Sequence, residues 1–282
     1  MDATFNTIVV PVDLDGHSDR SLEVARSLAV LGDVPVQLVT VLPRHYDPLS
    51  AVEPLDRRAR ALDLPNWTSI VLLGDDPALA IAEHALTLAQ PLVVMATVAH
   101  GLFAEFVSAS TSATLLSHVR APVLVIGPHV RDWTATAPTL LACVSPSDDP
   151  DPMVSVMARW MHTFGGRAPW FLEVLSPGDM PAGDNDLRES GLVQRRAEQL
   201  NALGVASEWE VLHGGDAVDA LESFAEGMVE PVLIVESQRW TDPSRLHLHS
   251  VARKLAHRSR QPVLVLPHVD VSVSATAPSS VG

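Results

Sequence analysis

The sequence predicts an α/β fold: two doubly wound, Rossmann-like domains, each on a five-stranded parallel sheet, joined as an intrachain pseudo-dimer. Three observations predict it. Displacing the chain by 140 residues lays "PLVVM" (91–95) on "PVLIV" (231–235), "APVLVI" (121–126) on "QPVLVL" (261–266) and "VLLGDDPALA" (71–80) on "VLHGGDAVDA" (211–220), with 14 identities over the 56 positions from Val71 to Ile126. Within each copy, short runs rich in branched residues are continuously apolar, as strands buried on both faces of a parallel sheet must be. Between those runs, apolar residues recur at three- and four-residue spacing, the period of an amphipathic helix.

In the first copy the predicted strands are "TIVVPV", "VQLVTVL", "TSIVLL", "LVVMA" and "PVLVIG", and the predicted helices are "SDRSLEVARSLAVL", "DPALAIAEHALTLA" and "SASTSATLLSHV". Ser18 stands where an N-cap is needed. Asp76-Pro77 and Asp216-Ala217 open a matching pair of helices, an acceptor at N-cap followed in one case by proline at N1. Upstream of these segments the match continues at an offset of 132, pairing "IVVPVDLD" with "LLACVSPS", so eight extra residues enter the second copy, assigned to "SPGDMPAGDNDLRESG". "GPHVRDWTATAP" joins the copies. The expected boundaries are 1–130 and 137–268, and the small, polar 269–282 is expected to be a disordered tail. The last strand of each copy would leave a long apolar edge, which invites pairing of the two edges; proline at the head of each marks its start.

Composition removes several classes of function. The chain has 282 residues, 47% of them hydrophobic, enough for two cores. Its formal charge of −15 and its single lysine, Lys254, oppose a nucleic-acid partner, which requires clustered cations. No apolar run approaches the roughly 20 residues of a membrane span, and the N-terminus lacks a basic stretch before its apolar one, so a cytoplasmic location is expected. Cys143, the only cysteine, can form no internal disulfide and reads as a small core residue at the end of a strand. "HLH" (247–249) has no thiolate or carboxylate at fixed spacing to complete a metal site, and solvated loop histidines are the better reading. No nucleophile with its base is visible, and the chain is not expected to be an enzyme.

Open parallel sheets bind ligands beyond the carboxyl ends of their strands. Here those ends are "PVD" after the first strand, "VTVL" in the second and "MATVAHGLFAEFVSASTSATLL" after the fourth. The "VPVD" start, the "GDDP" helix entry and the "SHVRAPVLVIGP" finish resemble the universal stress protein family in its tandem form, over about residues 5–128 and 137–268. The resemblance implies an adenine-nucleotide pocket on a HUP-type sheet, with Asp13 contacting the nucleotide, Pro11 and Val41 lining the adenine slot, and last strands paired antiparallel across a two-fold. It also implies a phosphate loop of pattern Gly-x2-Gly-x9-Gly-Ser/Thr. That pattern falls on Ala96, Ala99, Ala109 and Ser110, followed by Thr111.

Alanine at those positions forfeits the easy positive φ of glycine and adds a methyl where phosphate oxygens would approach. Ser110 and Thr111 can still offer hydroxyls and free amides at a helix N-terminus, which suits an anion, although the same residues are ordinary caps. Asp13 can accept hydrogen bonds from a ribose or an adenine amine, or simply begin an Asx turn. In the second copy Ser145 replaces the aspartate, and Glu236, Arg239 and His249 replace the three alanines, leaving Ser250. That copy is expected to be a structural partner. The leading reading is a stress-responsive binding or regulatory module that takes ATP or AMP weakly in the first copy, with no metal beyond a nucleotide-bound Mg. The alternatives are an interaction scaffold with both pockets degenerate and, third, a weak ATPase. The protein partner and any homodimer of the tandem chain stay open.

Overall fold

A computed structural model describes residues 4–14, 19–96, 115–116, 118–130, 133–144, 150–175, 185–237 and 251–267. Its strands are β1 (Thr7–Pro11), β2 (Val36–Leu42), β3 (Trp67–Leu73), β4 (Pro91–Ala96) and β5 (Val123–Ile126), then β6 (Thr139–Val144), β7 (Arg167–Leu175), β8 (Glu208–His213), β9 (Pro231–Ser237) and β10 (Val263–Pro267). Labelled in chain order, the helices among the described residues are α1 (Asp19–Gly32), α2 (Leu49–Ala61), α3 (Pro77–Leu86), α4 (Pro150–Phe164), α5 (Asn185–Ala202), α6 (Ala217–Ala225) and α7 (Val251–Arg258).

All ten strands form one sheet in the order β3-β2-β1-β4-β5-β10-β9-β6-β7-β8. Each half is a parallel, doubly wound set, and the only antiparallel junction is β5 with β10. The partners there are Val123 with Val265, Leu124 with Leu264 and Val125 with Val263. Since Leu264 is the repeat equivalent of Leu124, a pseudo-two-fold passes through that pair, normal to the sheet. Both leucines are fully buried, each contributing roughly 1.5–3 kcal/mol. The predicted intrachain edge pairing is therefore present. Pro122 and Pro262 precede β5 and β10, and their carbonyls accept from Val93 N and Leu233 N, each at 3.0 Å.

Two apolar layers cover the faces and run across both halves. One holds α1, α2, α4 and α5 residues such as Leu28, Leu55, Trp160 and Leu200; the other holds α3, α6 and α7 residues such as Ile81, Leu221 and Leu255. In the first layer α1 meets α4 over the seam. Phe5 stacks on Phe164 with centroids 5.7 Å apart, Trp160 meets Phe164 edge-on at 5.0 Å, and Phe5 N donates to Thr163 Oγ1 at 2.8 Å. A Cβ on Gly32 would lie 2.8 Å from the Phe164 ring, so the end of α1 closes on α4 only because it has no side chain.

The predicted N-caps at α3 and α6 are present: Asp76 accepts from Leu79 N at 3.1 Å and Asp216 from Val218 N at 2.8 Å. The joining segment is fastened to the second half. Glu230 accepts from Thr134 N (3.1 Å), Thr136 Oγ1 (2.9 Å), Ala137 N (2.7 Å) and the Thr134 hydroxyl. Ser18 and the tail lie outside the described residues.

Three features differ from the sequence expectation. Helix α2 is additional; Pro48 stands at its entrance, where proline is well tolerated, but Pro54 lies inside and argues against a helix, yet Ala51, Leu55 and Ala59 recur every four residues and are buried. The second half's extra residues do not all enter at the assigned stretch, because the irregularity between Thr139 and Leu141 puts one extra residue into β7. Cys143 lies inside β6, one residue before its end, and is only half-buried.

Candidate functional site

The first half's strand order, β3-β2-β1-β4-β5, reverses direction at β1; α2, which follows β2, packs in one apolar layer, and Leu115 and Leu116, which follow β4, pack in the other. The crevice of a doubly wound sheet opens at that point. Pro11 ends β1 in register with Val39, and Val12 N makes the next ladder bond to Val39 O at 2.8 Å. Asp13 follows directly and is 6% exposed, so a carboxylate stands buried where the crevice begins.

Of the candidate residues, the structure brings Pro11, Asp13, Val41 and Ala96 to the same end of the sheet. Pro11 is buried; Val41, two residues beyond Pro11's partner on β2, is half-buried and packs with the α3 layer. Ala96 ends β4 beside Ile126 and is turned into the opposite layer, toward α1. Pro11 and Val41 can thus flank a flat ring, and Ala96 cannot join them on that wall. Ala99, Ala109, Ser110 and Thr111 lie outside the described residues.

One contributor was absent from the sequence reading. Arg58 of α2 reaches the turn after β1: its Nη1 donates to the Asp13 carbonyl and its Nη2 to the Leu14 carbonyl at 3.1 Å. These carbonyls lie beyond β1's last residue, and a guanidinium fork matches two adjacent acceptors. Its partners are backbone carbonyls, so nothing in "DRRAR" (56–60) singles out Arg58 from Arg57 and Arg60.

The second half differs at nearly every equivalent point. An irregularity in β6–β7 pairing between Thr139 and Leu141 shifts the register by one, so Cys143 pairs with Leu172 where Pro11 pairs with Val39. Glu173 therefore stands in the place of Thr40, and it is 2% exposed. On the covering helix, Val205 N bonds Leu200 O as Leu64 N bonds Ala59 O, which sets Arg196 in the place of Leu55 and Gln199 in the place of Arg58. Glu236, half-buried at the end of β9 beside Leu266, occupies the place of Ala96. Ser145, Arg239, His249 and Ser250 lie outside the described residues.

Beside that crevice, α6 and α7 enclose a cleft lined by Asp216, Asp219, Glu222 and Glu226 against Lys254, Arg258 and Arg260. Lys254 Nζ bonds Asp216 Oδ2 at 3.1 Å; this bond and the Val218 amide hold the Asp216 carboxyl below its ordinary pKa. Leu79 and Leu86 replace Asp219 and Glu226 in the first half, and both are exposed. Among the described residues, no group of three His, Cys, Asp or Glu side chains could hold a metal ion, and no helix is long and apolar enough to cross a membrane.

Two doubly wound halves sharing one sheet, with a buried carboxylate at the switch point of one of them, define a tandem α/β protein. The model of the universal stress protein family matches residues 4–127 and again 140–267, and the chain belongs to that family. A universal stress protein from Archaeoglobus fulgidus DSM 4304 is similar over 95% of this chain and 98% of its own, at 17% identity and a TM-score of 0.66. A protein of unknown function from Pseudomonas aeruginosa PAO1 is similar over 94% and 93%, at 14% identity and 0.62. A universal stress protein solved in complex with cAMP matches 44% of this chain and 97% of its own, at 21% identity and 0.37. No curated protein sequence matches. At their identities the first two of these structures show a shared fold and nothing further.

Proposed function

We propose that this universal stress protein is a non-catalytic regulatory module that takes an adenine nucleotide, ATP or AMP, in the crevice of its first half, while the second half serves as a structural partner. The observation that carries the reading is Asp13. A carboxylate 6% exposed at the switch point, between the ends of β2 and β4, is placed to accept hydrogen bonds from a ribose hydroxyl or an adenine amine. Pro11 and Val41 supply an apolar wall beside it. The alanines of the sequence-assigned phosphate loop weaken the grip on phosphates, so affinity should be modest. Glu236, a carboxylate where the first half has Ala96, would repel a phosphate in the second half.

Calorimetry with ATP and with AMP on the wild type and on Asp13→Ala tests this. The expected dissociation constants are about 10–1,000 μM, or roughly −7 to −4 kcal/mol, with at least a tenfold loss on Asp13→Ala. No heat at millimolar nucleotide would leave the second reading, an interaction scaffold with both pockets degenerate. Nucleotide turnover that survives purification and vanishes with Asp13→Ala would overturn the non-catalytic part.

A further inference from the structure

We infer that Arg58 is a positioning residue for the first-half pocket: its guanidinium straps the turn after β1 and so fixes the Asp13 carboxylate before any ligand arrives. The inference rests on the reading of Asp13 as a nucleotide contact, and it names a part of the site that lies on a different element. Strand β1 ends at Pro11 and its last ladder bond is Val12 N to Val39 O. From there the backbone has no strand neighbour to fix its direction. The Arg58 fork supplies that restraint, donating to the carbonyls of two consecutive residues, Asp13 and Leu14. Holding a residue's own carbonyl restricts its ψ, and with it the direction in which its Cα–Cβ bond points.

Arg58 is itself well placed to act as a fixed post. It projects from α2 beside Ala59, which is fully buried, and one turn after Leu55, which is fully buried too. The helix is therefore anchored in the core on either side of the arginine. In the second half the equivalent position holds Gln199, whose neutral amide lacks the charge that strengthens a fork on two carbonyls. The strap and the aspartate thus occur in the same half and are replaced together in the other.

Preorganisation improves affinity by removing an ordering cost from the binding step. The test uses the full chain, comparing wild type with Arg58→Ala and Arg58→Lys. In nucleotide-free protein, Arg58→Ala should speed hydrogen exchange at Val12, Asp13 and Leu14 about tenfold, leave Leu38 and Val39 of β2 unchanged, and be partly rescued by Arg58→Lys. ATP and AMP titrations should show about a five- to tenfold loss with Arg58→Ala. On an Asp13→Asn background the same change should cause little further loss, because the strap acts through Asp13. Unchanged loop exchange, unchanged affinity, or a fully additive loss in the double variant would each overturn the role. If the wild type binds no nucleotide, the pocket reading fails, and the exchange measurement alone still decides whether Arg58 holds the turn.

Discussion

The crevices at the ends of β1 and β6 occupy equivalent places in one sheet, yet among the described residues three neutral positions of the first carry charge in the second. Thr40, Leu55 and Ala96 in the first half become Glu173, Arg196 and Glu236 in the second, and Glu173 and Arg196 are 2% and 5% exposed. Buried charge is tolerated only with compensating partners, so these side chains are committed to internal interactions. The two halves share strand order and parallel pairing, apart from the one-residue irregularity in β6–β7. What separates the two crevices is which positions under the covering helix carry charge, together with the arginine whose guanidinium holds the turn after the first strand.

The turns that follow the first helix of each half break the comparison most severely. Asp33 after α1 has φ 51° and Gly165 after α4 has φ 67°, a left-handed position that aspartate already fills in the first half. Gly165→Asp should therefore cost under about 1 kcal/mol. Its neighbour Gly166 has φ 135°, and a Cβ there would sit 2.4 Å from the Pro138 carbonyl oxygen, whereas the first half has Val34 at this point. Gly166→Ala should cost roughly 3 kcal/mol or more, read as a large fall in the urea midpoint. Equal effects of the two substitutions would show that the turns are not the equivalents drawn here.

A smaller effect distinguishes Glu230 from Gln90, its counterpart before β4. Burial raises the Glu230 pKa, but bonds from Ala137, Thr134 and Thr136 outweigh it and hold the carboxyl below its ordinary value. A depressed folded pKa gives stability that is fully present above the unfolded value and is lost as pH falls through the folded one. Glu230→Gln should cost about 1 kcal/mol at neutral pH, discounted because the group is partly solvated, and wild type and variant should converge between about pH 5 and pH 3. A constant difference across that range in denaturant melts would exclude the carboxylate as the fastener.

The smallest effect concerns the alanines. Changing Ala96, Ala99 and Ala109 to glycine should strengthen ATP binding a few-fold more than AMP binding, since only the added phosphates reach that loop. Ala96→Gly, inside β4 and 8% exposed, should contribute about 0.5–1 kcal/mol of destabilisation. Equal gains for both nucleotides, measured by calorimetry, would place the loop away from phosphate.

The strands were legible because a sheet covered on both faces demands unbroken apolar runs, and "VQLVTVL" needs no long-range information to be read. The seam was legible because the repeat set matching apolar edges in each half. Helix α2 was hidden by Pro54, whose local preference its three buried contacts override. The one-residue shift in β7 was invisible because aligned identities track side chains, whereas the irregularity lies in backbone pairing; it moves Glu173 from the place of Val41 to that of Thr40. Arg58 escaped because its partners are carbonyl oxygens, which carry no sequence signature.

The antiparallel seam also sets a timetable. Strand β10 is the last of the ten to be synthesised, and each β5 residue lies 138 to 142 positions ahead of its partner, as Val125 does of Val263 and Val123 of Val265. At about 5–20 residues per second, the ribosome takes roughly 7–28 s to cover that distance. Throughout that interval the apolar edge "VLVI" is without its neighbour. A nascent first half on one ribosome and its twin on the next present identical edges, so adjacent chains on a polysome compete with the chain's own final strand for the same row of hydrogen bonds.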